Sequence, residues 1–476
     1  MVRRQHEQRS IFEMILPDGD KLWDETLRRI DEVLDDEALV DRVEDALAAR
    51  RSKSRRRGRP GTPAAVALRL LALKHLYDWS FAVCEREVRG SLVYRAFCRI
   101  DCEPVPDEKT LIRLAQAVGP EVCQEIQERL VALARQRQVV RGRRLRVDTT
   151  VVETNIHYPS DSSLLGDGVR VITRTVKKLE EVVGKVKARL RDRRRSVRTR
   201  IFEIAQQRRK ASEEAQTKMK TAYRRLVGTA RAVLREAPRA VEGAKRKARQ
   251  LGAKVQQQVK ELAQEVAQMS ERTRQVVAQT RARVLKGDTH YPDKVLSVFE
   301  THTEVVRKGK AGKPTEFGKV VKIQEAENQF ITDYQVCAER VPDQALWGPS
   351  LERHQELFGR PPELATADAG FASAANQRQA EELGVKRVAL GRRRGRKGAP
   401  ARAAPRPRWF ERARKWRTGC EGRISALKRR HGLRRCRYKG LRGMQRWVGM
   451  AVIANNLLVL GRTAPPGKKR RAVRRK

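Results

Sequence analysis

The stretch LRVDTTVVETN, residues 145–155, decides how the fold is read. Its run of β-branched residues is that of a buried strand rather than a helix. Yet Asp148 stands in the middle of it. A carboxylate buried without a partner is costly, so such a residue is paired, hydrogen-bonded or bound to a metal. The rest of the chain has to say which.

At 476 residues the chain has room for two or three domains, and a hydrophobic fraction of 39% is enough for globular cores. The charge is the extreme feature. Lys and Arg number 106 against 57 Asp and Glu, a formal net charge of +49. Such a charge repels itself in a compact monomer and makes sense beside a polyanion, so nucleic acid is the expected partner. A membrane partner is not expected. The longest apolar run, Trp447 to Leu460, is interrupted by Asn455 and Asn456 and reads as a buried helix. The start, MVRRQHEQRS, lacks the apolar core of a signal peptide. Seven scattered cysteines fit a reducing cytoplasm, with Cys98 and Cys102 read as core residues.

Working outward from the strand, six segments emerge. Residues 1–60 hold an acidic helical stretch and the basic linker RRSKSRRRGR. Residues 61–140 hold several short helices, one expected to start at Asp107 with Thr110 beyond it. Residues 141–168 carry the strand. Residues 169–286 form a long charged helical insertion, with Val255, Val259, Leu262, Val266, Met269, Thr273 and Val276 at heptad spacing. Pro238 and Gly243 supply its expected reversal point, giving a helical hairpin whose seams are expected to pair protomers and whose basic flanks are expected to contact the DNA backbone. NIHYP enters this insertion and DTHYP leaves it. Residues 287–460 return to strand patterns in KVLSVFETHTEV, GKVVKIQEA, FITDYQVCAERV and KRVAL, with helices over ALWGPSLERHQELFG and from Phe410. Residues 461–476 read as a disordered basic tail.

Strands on both sides of the insertion suggest one interrupted α/β domain, in which distant carboxylates can meet. Asp368, in ELATADAGFAS, ends a short apolar run and has Gly370 beyond it, and strand ends are where open α/β sheets bind ligands. Glu421, in RTGCEGRISALK, stands on a helix otherwise carrying Lys and Arg. Two aspartates and a glutamate are a donor set for the paired divalent ions of phosphodiester chemistry. Other readings compete. Asp148 can pair with Arg146 or Arg170, Asp368 can serve a turn, and Glu421 can make a surface ion pair. Asp333, Glu381 and Glu411 are rival carboxylates.

The succession resembles bacterial insertion-sequence transposases of the DDE type. Their signature around the glutamate is Tyr, two residues, Arg, three residues, Glu, six residues, Lys. Here Arg417, Glu421 and Lys428 stand at those spacings, while Arg414 occupies the Tyr position, with Trp416 the nearest aromatic. VDTTVVETN and ATADAGFAS resemble the two segments bearing the family aspartates. GRPGTPAAVALRLLALKHLYDWSFAVCEREVRGSLVYRAFCRID is similar to the N-terminal helical domain, and WVGMAVIANNLLVLG to the closing helix. DTTVVETNIHYPSDSSLLGDG resembles the ISNCY subgroup. One departure stands out: the long insertion lies between the two aspartates, whereas better-known relatives often carry one between the second Asp and the Glu.

The resemblance implies an α/β, RNase H-like mixed sheet with flanking helices, behind an N-terminal helical domain that binds element ends. It implies that Asp148, Asp368 and Glu421 are catalytic and hold Mg²⁺, or Mn²⁺ in its place. Arg417 and Lys428 would contact DNA, joined by Arg414 and by Arg392, Arg393 and Arg394 of the basic loop GRRRGRKGAPARAAPRPRW. The implied partner is double-stranded DNA, both terminal inverted repeats and target, met by a homodimer or higher oligomer at the bacterial nucleoid. Two alternatives share the electrostatics: an RNase H-like nuclease without joining activity, and a DNA-binding protein with no catalysis.

Overall fold

The computed structural model describes residues 2–5, 24–50, 60–292, 294–307, 315–391 and 407–463. Residues 51–59 of the basic linker, Arg392, Arg393, Arg394 and residues 464–476 lie outside them, and the expected tail begins later than residue 461 because Gly461 and Arg462 belong to the last helix. The chain divides into two compact units, one of Met1–Asn155 with Glu304–Lys476, the other Ile156–Thr303.

The first unit is mixed α/β with one open mixed sheet. Among the described residues seven helices precede the sheet: α1 (Glu25–Leu34), α2 (Glu37–Ala48), α3 (Ala64–Leu76), α4 (Phe81–Gly90), α5 (Leu92–Phe97), α6 (Glu108–Ala117) and α7 (Pro120–Gln136). Short polar side chains start most of them. Asp24 accepts from the Leu27 amide at 2.8 Å and Asp107 from the Thr110 amide at 2.6 Å, satisfying amides that a helix leaves orphaned. Helix α3 is buried along its whole length.

The strands are β1 (Arg144–Glu153), β2 (Glu304–Val306), β3 (Glu316–Glu325), β4 (Ile331–Val336), β5 (Leu364–Ala367) and β6 (Arg387–Leu390). Their order is β2-β3-β1-β5-β6, with β4 also on β3. Strand β1 is flanked on both sides, antiparallel to β3 and parallel to β5. Its interior, Leu145–Val152, is buried, which suits the β-branched stretch Thr149–Val152. Its last residue, Glu153, and the first residue of β2, Glu304, both pair with Gly318 of β3, from opposite sides.

Helices α12 (Trp347–Phe358) and α13 (Ala374–Glu382) supply the core on one face, where Leu145, Val147 and Val151 meet Trp347, Leu351 and Phe371. On the other face Val152, Val321 and Ile323 meet Leu427 of α14 (Arg408–Arg430) and Trp447 of α15 (Gly440–Arg462). The asparagines that interrupt the apolar run have a structural use. Asn456 accepts from the Ile331 amide at 3.0 Å and donates to the Ile331 carbonyl at 2.7 Å, so a side chain completes the start of β4. No helix among the described residues is long and apolar enough to cross a membrane.

One expected strand is mostly absent. Of KVLSVFETHTEV only its last two residues, Glu304 and Val305, pair, within β2. The Ser297 hydroxyl accepts the amides of Phe299 (3.1 Å) and Glu300 (3.0 Å), drawing the backbone into a local turn, while Val298 is buried in the second unit's core.

The second unit is four helices: α8 (Asp161–Val183), α9 (Arg194–Gln207), α10 (Glu213–Ala248) and α11 (Ala253–Thr280), the last running into a π-helical turn, Arg281–Leu285. This is not the expected two-armed hairpin. Pro238 lies inside α10 with its ring exposed, and the reversal falls after Ala248, before Gly252. Nor is the heptad seam left for another protomer. Val259, Val266, Met269, Thr273 and Val276 are buried inside this unit, with α11 packed on α8 and α10. Gly168 of α8 has no room for a Cβ against Thr273, so the two helices meet at close range there.

Candidate active site

Register brings the two aspartates together. The last parallel pair of β1 and β5 is Val147 with Ala367. Asp148 and Asp368 are the next residue on each chain, so the two carboxylates stand on neighbouring parallel strands at the end of β5. Asp148 is buried, and its Oδ1 accepts the Thr149 amide at 2.7 Å. Asp368 is half-buried, and its Oδ1 accepts the Gly370 amide at 2.8 Å. Both bonds go to the carboxylate's own following turn or strand.

Behind Asp148, two residues back on the same face, Arg146 is committed elsewhere. It donates from Nε to Glu325 Oε2 at 2.9 Å and from Nη1 to the Trp416 carbonyl at 2.6 Å, with its guanidinium 4.8 Å from the Trp416 ring centre. Glu325 is fully buried, and burial pushes its carboxyl up although the Arg146 charge pulls it down. The pair joins β1 to β3, and the Arg146 bond to the Trp416 carbonyl ties α14 to β1. Cys420, on the same helix, lies close enough to Glu325 and Asp148 to feel both, and burial raises its thiol well above the ordinary value. A thiol held protonated is no nucleophile. Arg170, the other proposed partner of Asp148, is in the second unit, paired with Asp167 at 2.7 Å.

Glu421 is on the covering helix but exposed, and its Oε1 is 3.1 Å from Arg417 Nη2 one turn earlier. Arg414 is exposed and pairs with Glu411 at 3.0 Å, and Lys428 is half-buried on the same helix. The rival carboxylates are occupied: Asp333 with Lys322 at 2.9 Å, Glu411 with Arg414, and Glu381 as acceptor from Gln377 at 2.7 Å.

A further acid was not visible in the sequence. Asp343 Oδ1 accepts from the Thr149 hydroxyl at 3.0 Å. A Cβ added to Gly370 would lie 2.7 Å from Asp343 Oδ2 and 3.0 Å from Asp368 Oδ1. Asp343 and Asp368 therefore converge on one point across a glycine. In VPDQAL Asp343 reads as an ordinary helix start, and no spacing rule links it to the others.

The oxygen-only donors Asp148 and Asp368 suit a hard divalent cation. The third expected donor, Glu421, is not gathered with them: among the described residues no three His, Cys, Asp or Glu side chains are grouped to hold a metal ion.

Two family models match the chain. A transposase domain, DUF772, matches residues 13–117, and a transposase DDE domain matches residues 387–460. The second span contains β6, α14 and most of α15, and with them Arg417, Glu421 and Lys428. Asp148 and Asp368 lie outside both spans. No curated protein and no solved structure matches.

Proposed function

The two matched domains support an insertion-sequence DDE transposase, and from that premise we propose that the chain cuts the ends of its own mobile element and joins them to target DNA. The catalytic domain is RNase H-like. Water attacks phosphorus at the element end, the P–O3′ bond breaks, and a 3′ hydroxyl is freed. That hydroxyl then attacks a phosphorus of the target, expelling the target's own 3′ oxygen. The observation that carries the reading is the side-by-side placement of Asp148 and Asp368 on adjacent parallel strands, beneath the helix that bears Arg417, Glu421 and Lys428.

Asp148 and Asp368 would hold Mg²⁺, or Mn²⁺, which activates the attacking oxygen and stabilises the leaving one. Glu421 completes the set when Arg417 turns to a DNA phosphate. An exposed i,i+4 ion pair contributes only about 0.3–0.5 kcal/mol, so a phosphate that a guanidinium can hold with two hydrogen bonds competes well for Arg417. Lys428 adds a point charge on the same helix. The N-terminal helices bind the terminal repeats, and two protomers bring two ends together at the nucleoid.

The test is DNA from the gene's flanks, labelled at both ends and incubated with the protein and Mg²⁺, beside Asp148→Asn and Glu421→Gln. Cuts at discrete positions in paired inverted repeats, and joined products on added target DNA, are expected from the natural chain and absent from both variants. Cuts without joining would leave a nuclease. Tight binding with no metal-dependent cut in the natural chain would overturn the reading.

A further inference from the structure

The helical unit carries a groove that the catalytic reading does not use. Between α10 and α11 a cavity of about 430 Å³ is lined by Arg231, Leu234, Arg235, Arg274, Val277, Ala278 and Arg281. All four arginines are exposed, while Leu234 and Val277 form a buried apolar floor. Arg231 and Arg235 stand one turn apart on α10. Arg274 on α11 and Arg281 at the start of the π-helical turn that follows it stand two turns apart, roughly 10 Å along the axis. Among the described residues only Arg274 of the four has a carboxylate at ion-pair distance, Glu271 at 3.0 Å.

The end of α11 helps to build this row. The π-helical turn begins at Arg281, whose carbonyl accepts the Lys286 amide at 3.1 Å. Within that turn Arg283 is drawn to the buried Asp161, Nη1 to Oδ2 at 3.0 Å, whereas Arg281 lines the groove. A widened turn of this kind is a common device at functional positions. Arg281 and Arg283, two residues apart, point to opposite sides of it, one anchoring the fold and the other facing out.

Four guanidiniums about an apolar floor repel one another, and one small anion would leave most of that charge unmatched. A row of phosphates matches it, since each guanidinium can hold a phosphate through two parallel hydrogen bonds. The floor has no side-chain donor or acceptor that could read a base edge, so contact here carries no sequence information. We propose that this groove grips the backbone phosphates of duplex DNA, independently of sequence. The inference rests on the reading that DNA is this chain's partner, and it assigns the inserted unit a clamp.

The experiment compares the full chain with a variant combining Arg231→Ala and Arg281→Ala, and with a second combining Arg231→Lys and Arg281→Lys. Affinity for a random-sequence duplex and for a duplex carrying the element end is measured across a salt series. Each lost phosphate contact lowers the slope of log K against log salt by about 0.9, so the alanine variant should lose about 2 from the slope on both duplexes. The lysine variant should keep the natural slope. Both side chains are exposed, so the core is untouched by either change. An unchanged slope in the alanine variant, or a loss confined to the element-end duplex, overturns the clamp. The two readings fail separately: cleavage of element ends with an unchanged slope removes only the clamp, whereas a natural chain that binds both duplexes without cutting removes only the catalytic reading.

Discussion

Gly370 shows how little space the site leaves. Its missing Cβ is what lets the Asp343 and Asp368 carboxylates face each other across the turn. In Gly370→Ala those side chains must swing away, while the backbone can stay. Displacements of this size cost on the order of 10- to 100-fold in rate. Strand cleavage by Gly370→Ala should fall by that much with DNA affinity unchanged, which a cleavage assay and a binding titration read separately.

Lys74 is a second residue with a measurable signature. It is buried on α3 against the rings of Phe81, Tyr438 and Trp447, at 5.0, 5.3 and 4.7 Å. Burial lowers its amine from 10.5 to about 8. The charged form is thus disfavoured in the folded state. The stability it withholds is regained above pH 10.5 and lost as pH falls through about 8. Urea titrations across pH 8 to 10.5 should show a rise in stability that Lys74→Met removes. An equal rise in both proteins would rule the assignment out.

Among the elements, α15 ties the sheet to the N-terminal helices. It packs on α1, α3 and α7, and Asn456 also donates to Gln127 of α7 at 3.1 Å. Asn456→Leu would orphan the Ile331 amide, and buried groups left without partners cost about 1–3 kcal/mol each. A loss of that order should appear as a lower denaturation midpoint at unchanged m-value. A midpoint equal to that of the natural chain would mean that water replaces the amide.

How far the elements could be read from sequence depended on what determines them. The strand at Arg144–Glu153 and the helix at Trp347–Phe358 follow from local pattern, and both were legible. The segment KVLSVFETHTEV has strand composition, but one serine hydroxyl captures its amides, which no periodicity records. Pro238 looked like a reversal because proline usually breaks a helix, yet an exposed position on a long, well-packed helix tolerates it. The heptad positions were read correctly as a seam, but a seam does not name its partner, and here the partner is in the same chain. For the site, the residue types could be listed from sequence. The adjacency of Asp148 and Asp368 required strand register, and Asp343 carried no signal at all.

At the scale of the whole molecule, the second unit is held by both of its ends to one sheet. Two inter-strand spacings separate Glu153 from Glu304 across Gly318, about 10 Å. Three or four residues span that gap. A chain in which residues 156–303 are replaced by a short Gly-Ser linker should therefore remain folded, with one cooperative unfolding transition. It should also bind duplex DNA with a shallower salt slope. Aggregation, or loss of the cooperative transition, would show that the sheet needs the insertion to form.

That shared anchor residue also bears on the history and engineering of the protein. Because departure and return points flank a single rung, growth or shrinkage of the inserted material leaves the hydrogen-bond ladder in place. Such a position behaves as a socket. Other modules, a fluorescent reporter or a domain with its own DNA preference, can be spliced there without re-registering any strand.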